Sequence, residues 1–141
     1  PHLVLHRPVL SGRSDASNAL TVGFRGQGHV HMDGKKVFAE ATRAMTRMTR
    51  RAFAESGLTL AQLDWLVPHQ ANQRIMESVR SRLGVPREKV IDMTDIHGNT
   101  SSSSIPISIA KSRGKFLRGQ KIGVCAFGGG FTFGAAVLEV K

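Results

Sequence analysis

Apolar positions along the chain follow two different periods. From Lys35 to Ser56, the residues Val37, Phe38, Ala41, Met45, Met48 and Ala52 step by three and four, which predicts an amphipathic helix stopped by Gly57. Arg43, Arg47, Arg50 and Arg51 fall on another part of that helix. Ile75, Met76, Val79 and Leu83 repeat the pattern and predict a second helix, closed by Gly84. A third is expected through Ile105, Ile107, Ile109 and Ala110, ending near Gly114. Between the helices lie short apolar runs that read as strands: Leu63–Val67 ending in Pro68, Lys121–Phe127, and Phe131–Val140. The last two, joined by Gly128-Gly129-Gly130, form a hairpin-like unit.

The remaining signals are weaker. Leu3–Leu5 and Val9-Leu10 read as one strand interrupted by His6-Arg7-Pro8, and residues 11–19 read as loop. A short strand near Leu20–Phe24 leads into the glycines Gly23, Gly26 and Gly28. Thr59 caps a turn of helix through Gln62, Pro86–Lys89 is a turn, and Val90-Ile91 is strand-like. Strands alternating with helices predict an α/β layered domain.

Composition narrows the class. With 141 residues and 40% hydrophobic content, the chain can bury one core and is not expected to be disordered. No apolar run approaches the roughly 20 residues of a membrane span, so no membrane association is expected. The chain opens Pro1-His2, with neither a basic-then-apolar leader nor an initiator Met, and reads as a piece of something longer. A lone cysteine, Cys125, forbids an internal disulfide and fits a reducing cytoplasm. The net charge of +10 favours an anionic partner. Nucleic acid is the weaker candidate, because there is no Tyr and no aromatic-studded recognition motif.

Candidate chemistry sits in three loops. Val67-Pro68-His69-Gln70-Ala71-Asn72 lies where a strand ends and a helix begins, a place suited to a reactive imidazole and equally to a surface histidine. His97-Gly98-Asn99-Thr100-Ser101 offers the Asn99 amide just before a helix, where N-capping is the ordinary role. Phe127-Gly128-Gly129-Gly130-Phe131 follows a buried strand, and its glycines can aim backbone N–H groups at a ligand or simply make a tight turn. The glycines do not open a helix, so a dinucleotide or phosphate loop is excluded. Cys125 lies mid-strand, away from any helix N-terminus that could activate a thiol, and reads as a small buried hydrophobe.

Taken together, the loops carry a resemblance that none carries alone. The stretches Met32-Asp33-Gly34-Lys35-Lys36-Val37-Phe38, Leu63–Ile75, Gly98–Pro106 and Ala126–Ala136 resemble the carboxy-terminal half of β-ketoacyl-acyl-carrier-protein synthase III, in the thiolase-like superfamily. The likeness is close over residues 32–141 and loose over 1–31. It implies an α/β thiolase-like half, a mixed β-sheet with helices packed on both faces, spanning residues 1–141.

By that resemblance, His69 and Asn99 are two members of a Cys-His-Asn triad, and the cysteine belongs to an amino-terminal half absent from this chain. Gly129 N–H would be one oxyanion-hole donor, and Phe127 would border the triad. Asn72 would contact the pantetheine arm of CoA. Arg74 and Arg82 would dock an acidic acyl carrier protein, with Arg43, Arg47, Arg50, Arg51 and Arg80 widening that surface.

The implied reaction is a decarboxylative Claisen condensation of acyl-CoA with malonyl-acyl-carrier-protein in fatty acid biosynthesis. His69 would act as a neutral Nε2–H donor. Acyl-CoA would be a substrate, with no permanently bound cofactor and no metal. The full-length enzyme would be a cytoplasmic homodimer, and this chain alone would be inactive. Two other readings stay within the same likeness: a synthase of secondary metabolism with a different acyl acceptor, or a partner subunit.

Overall fold

A computed structural model of the chain describes residues 2–14, 18–21 and 29–141. Its main sheet is five-stranded: β5 (Trp65–Pro68), β6 (Lys121–Gly128) and β7 (Thr132–Val140) lie side by side, and β1 (Leu3–Leu5) and β2 (Val9–Gly12) share the far edge of β7. β5 runs parallel to β6, and the other pairings are antiparallel, so the sheet is mixed. A parallel pair needs a long crossover. Here the crossover carries α2 (Gln73–Leu83), α3 (Thr94–His97) and α4 (Ser104–Lys111). A separate two-stranded ladder joins β3 (Leu20–Thr21) to β4 (His31–Met32), just ahead of the long helix α1 (Gly34–Glu55).

Side-chain alternation along the strands builds a core on each face of the sheet. Leu66, Cys125 and Val137 point towards α1 and α2, where they meet Met45, Met48, Phe53 and Val79. Their neighbours Val67, Ile122 and Val140 point the other way, towards Phe116 and the Ile105 and Ile109 side chains of α4. Helices therefore cover both faces, as the sequence implied. Each of the large apolar side chains at 0–1% exposure in α1 and β5 contributes on the order of 2 kcal/mol through burial.

The helix ends follow local chemistry. The Asp33 carboxylate accepts from Lys36 N–H at 3.1 Å to start α1. Gly84, at φ 72°, ends α2 in the left-handed conformation that other residues resist.

Several expectations need correction. The amino-terminal apolar stretch is two strands, not one. His6-Arg7-Pro8 is the step between them, and the His6 N–H still donates to Val137 O at 2.9 Å. Ser11 and Gly12, read as loop, extend β2 because the β7 backbone beside them offers Phe133 and Thr132 as partners. The segment before Gly98 folds into α3, too short for any periodicity to reveal. The third helix is broken into a 3-10 turn at Ser101–Ser103, α4 proper, and a second 3-10 turn at Arg113–Lys115. The Val90-Ile91 strand reduces to one parallel bridge between Leu66 and Val90. Of the expected Leu20–Phe24 strand, only Leu20–Thr21 is observed; Val22 to Phe24 and the glycines Gly23, Gly26 and Gly28 lie outside the described residues.

Gly123 shows how tightly α1 seats on the sheet. A Cβ there would lie 3.0 Å from Leu63 Cδ1 and 3.1 Å from Phe53 Cε2. Gly123→Ala is expected to cost about 1 kcal/mol or more through overpacking, read as a lower urea midpoint at unchanged m-value. An unchanged midpoint would show that the helix can shift.

Candidate functional site

β5 ends by delivering a histidine. Its last ladder pair is Pro68 with Cys125, and the next N–H, that of His69, donates to Cys125 O at 2.8 Å. The chain then turns, with Ala71 N–H on His69 O, and Asn72 caps α2 by accepting from Arg74 N–H at 2.8 Å. His69 is thus fixed at the carboxy end of β5, immediately before the amino end of α2. Burial lowers the His69 pKa below its ordinary value, which favours the neutral imidazole at neutral pH.

The loop is locked from beneath by Gln70, which is 1% exposed. Its Nε2 donates to Pro68 O at 2.7 Å and to Ile91 O at 3.2 Å, and its Oε1 accepts from Met93 N–H at 2.8 Å. The same side chain therefore joins the end of β5 to the segment that leads through α3 to Asn99. The hydroxyl of Ser104, 2% exposed at the start of α4, lies 2.6 Å from His69 Nδ1 and accepts from Gln70 N–H at 3.3 Å.

Asn99 sits on the loop between α3 and α4. Its Oδ1 accepts from Ser101 N–H at 2.9 Å, the capping role its position suggests. That contact engages the oxygen and leaves the amide NH2 as the uncommitted donor among the described contacts.

His69, Asn99, Asn72, Arg74 and Phe127 all line one cleft of about 1040 Å³ between α1 and the carboxy ends of β5 and β6. A second hollow, about 380 Å³, lies beyond it and is lined by Leu10, Ser101 and Phe133. His69 and Phe127 form the wall common to both. Phe127 is held there by rings on β7 and its turn, with centroids 4.9 Å from Phe131 and 5.6 Å from Phe133.

Other sequence candidates lie further out. Gly129 is exposed at the β6–β7 turn, beside Leu20 of the cleft rim, and its N–H makes no hydrogen bond among the described residues. Arg74 lies over the Phe38 ring at 5.9 Å, at the cleft itself. Arg82 is in the last turn of α2, and its carbonyl accepts from Arg50 Nη2 at 2.8 Å. Arg80 is committed inside the fold, bonded to Glu77 and to Val85 O. Arg43 and Arg51 pair with Glu40 and Glu55.

Cys125 is 1% exposed, and burial pushes its thiol up to about 11, against a smaller opposing effect from Thr49. That disfavours the thiolate a nucleophile requires. Among the described residues, no three His, Cys, Asp or Glu side chains gather as metal ligands, and no helix is long and apolar enough to cross a membrane.

Gln70 and Ser104 were not singled out from sequence. A signal existed for the second: Ser104, Ser108 and Ser112 are spaced by four residues and all are buried, at 2, 0 and 1%. Such spacing marks the small inward face of a helix packed closely on a sheet.

A mixed sheet faced by helices on both sides, with His69 and Asn99 brought to one cleft, defines a thiolase-like half. A solved 3-oxoacyl-(acyl carrier protein) synthase III from Pseudomonas aeruginosa PAO1 superposes with a TM-score of 0.90 at 32% identity, covering 96% of this chain and 44% of that one. The family model described as 3-oxoacyl-[acyl-carrier-protein] synthase III C terminal matches residues 53–140, and the chain belongs to that family. Among curated relatives, the β-ketoacyl-[acyl-carrier-protein] synthase III of Rhizobium meliloti (strain 1021) is 44% identical over 136 residues, covering 95% of this chain. That of Sinorhizobium medicae (strain WSM419) is 45% identical over 114 residues, covering 79% of this chain. The matched regions amount to 41% and 35% of those relatives' lengths.

Two outcomes test the geometry. Gln70→Leu removes the side-chain partner of the Pro68 and Ile91 carbonyls and of the Met93 N–H, and is expected to cost about 3 kcal/mol, measured by urea unfolding. Cys125 should resist iodoacetamide in the native protein at about pH 8 and react once unfolded. Rapid native alkylation would contradict its burial.

Proposed function

We propose that residues 1–141 are the carboxy-terminal half of a ketoacyl synthase III, an acyltransferase whose nucleophilic cysteine is supplied by an amino-terminal half. The observation that carries this reading is the convergence of His69 and Asn99 on one cleft, with the Asn99 oxygen engaged by Ser101 N–H and its amide NH2 uncommitted.

The reaction proceeds in two acyl transfers. Acyl-CoA first acylates the cysteine of the other half, releasing CoA. Malonyl-acyl-carrier-protein then enters with its pantetheine arm along the cleft, past Asn72 and Arg74. The bond to its carboxylate breaks, carbon dioxide leaves, and the electron pair moves onto the thioester as an enolate. His69 Nε2–H and the Asn99 amide donate to the thioester oxygen as this charge grows. Fixed donors in a site shielded from water do this without solvent reorganisation. The enolate carbon attacks the acyl-cysteine, and the thiolate leaves with a 3-ketoacyl product formed. Gly129 N–H, together with the cysteine's own N–H, stabilises the oxyanion on the acyl group.

No permanently bound cofactor is needed, because CoA and the carrier protein bring the thioesters. Arg74 and Arg82, exposed on α2, are the docking cations for an acidic carrier protein. The working enzyme is a cytoplasmic homodimer of two-half subunits engaged in fatty acid synthesis.

In an enzyme joining this chain to its amino-terminal half, His69→Ala and Asn99→Ala should each lower malonyl decarboxylation by about a hundredfold or more. Radiolabelled acylation of the cysteine should persist. Equal loss of acylation would overturn this division of labour. The purified 141-residue chain alone should yield no ketoacyl product, and detectable product would refute the need for a second half.

A further inference from the structure

We propose that Ser104 is the positioning residue that sets the tautomer of His69, donating its hydroxyl hydrogen to Nδ1 so that Nε2 carries the ring hydrogen towards the cleft. This inference deepens the proposed decarboxylation role and rests on it for its functional consequence, though the tautomer assignment itself stands on the hydrogen bonds and burial of the ring.

Ser104 Oγ has two partners among the described residues: Gln70 N–H at 3.3 Å and His69 Nδ1 at 2.6 Å. The Gln70 amide can only donate, so it occupies one lone pair of the hydroxyl oxygen. The hydroxyl hydrogen then has one acceptor in reach, the Nδ1 lone pair. In the opposite arrangement, with hydrogen on Nδ1, the oxygen would receive two donors while its own hydrogen pointed at nothing, in a site 2% exposed. Buried donors are rarely left unpaired.

Burial lowers the His69 pKa and so favours the neutral ring, in which only one of the two nitrogens carries hydrogen. The carbonyl of Ser104 accepts from Ser108 Oγ at 2.8 Å, both serines are buried, and α4 packs against the sheet core through Ile105 and Ile109. The donor is therefore mounted on a helix seated against the sheet that carries the histidine. With Nε2–H fixed, His69 presents a donor in the cleft it shares with the Asn99 amide. The other tautomer would present a lone pair to an oxygen that is gaining negative charge.

The test uses the two-half enzyme with ¹⁵N-labelled histidine. Long-range ¹H–¹⁵N correlation reads each ring nitrogen, and the His69→Gln spectrum assigns the signal. The wild type should show His69 as Nε2–H. Ser104→Ala should move population towards Nδ1–H and lower malonyl decarboxylation roughly tenfold or more, with cysteine acylation retained. Ser104→Thr, which restores a hydroxyl, should recover both the tautomer and the rate.

A wild-type spectrum with hydrogen on Nδ1 overturns the proposal without any mutant needing to fold. So does a Ser104→Ala protein whose tautomer and decarboxylation rate match wild type. If the tautomer responds to Ser104 as expected but His69→Ala decarboxylates normally, the positioning inference stands and the functional reading fails.

Discussion

The parallel pairing of β5 with β6 is the constraint on which the site depends. A parallel neighbour cannot be reached by a hairpin, so the chain must leave the carboxy end of β5, cross a face of the sheet and re-enter at the amino end of β6. The residue at the point of departure is His69. The crossover carries Asn99 back to the same end of the sheet before α4 descends on the opposite face from α1. The two side chains are 30 positions apart in sequence (99 − 69), yet both reach one cleft because the topology returns to that edge. Gln70 fixes how closely it returns, by bonding simultaneously to the end of β5 and to the Ile91–Met93 segment. A buried amide with all three contacts satisfied leaves little freedom between the histidine loop and the asparagine loop.

Much of this was legible in the order of residues. Period-four apolar positions located α1 and α2, and their stops followed from Gly57 and Gly84. Continuous apolar runs located β6 and β7, since strands buried on both faces need no alternation. What was hidden depended on partners far away in sequence. Ser11 and Gly12 look like loop until β7 is placed beside them. Ser104 looks like one serine among four until α4 is seated and that hydroxyl alone meets His69. Gln70 looks like a helix-start polar residue until its burial is known. Local chemistry specifies caps and periods; it does not specify which polar side chain will be enclosed.

The charge also divides differently once the fold is known. The excess of cations suggested one broad basic surface, but several arginines are spent internally. Arg80 closes the end of α2 through Glu77 and Val85 O, and Arg50 reaches across to the same end through Arg82 O. Arg43 and Arg51 have carboxylate neighbours on their own helix. Exposed pairs of this kind contribute little to stability, under about 1 kcal/mol each. Their larger effect is to reduce the cationic field of α1. Arg74 is different: it stacks on Phe38 at the cleft, with its head exposed and no carboxylate partner among the described contacts.

The cleft gathers the side-chain amides of Asn72 and Asn99 beside His69, with the Asp33 carboxylate at its α1 end. Asn99 has its oxygen engaged by Ser101 N–H, and Asn72 has its oxygen engaged by Arg74 N–H. In both, the acceptor is tied back to the local backbone and the amide NH2 remains. His69 completes the set once Nδ1 takes the Ser104 hydrogen, because its remaining polar atom is then a donor. The amino end of α2 adds a positive partial charge at the same place. Each acceptor is satisfied by a neighbour that exists for structural reasons, as a cap, a turn or a helix packing contact. The contacts that stabilise the fold therefore leave the amide NH2 groups of two cleft-lining residues uncommitted. Such a site favours an oxygen that gains negative charge over one that stays neutral, because donors already fixed in place need no reorganisation when the charge arrives.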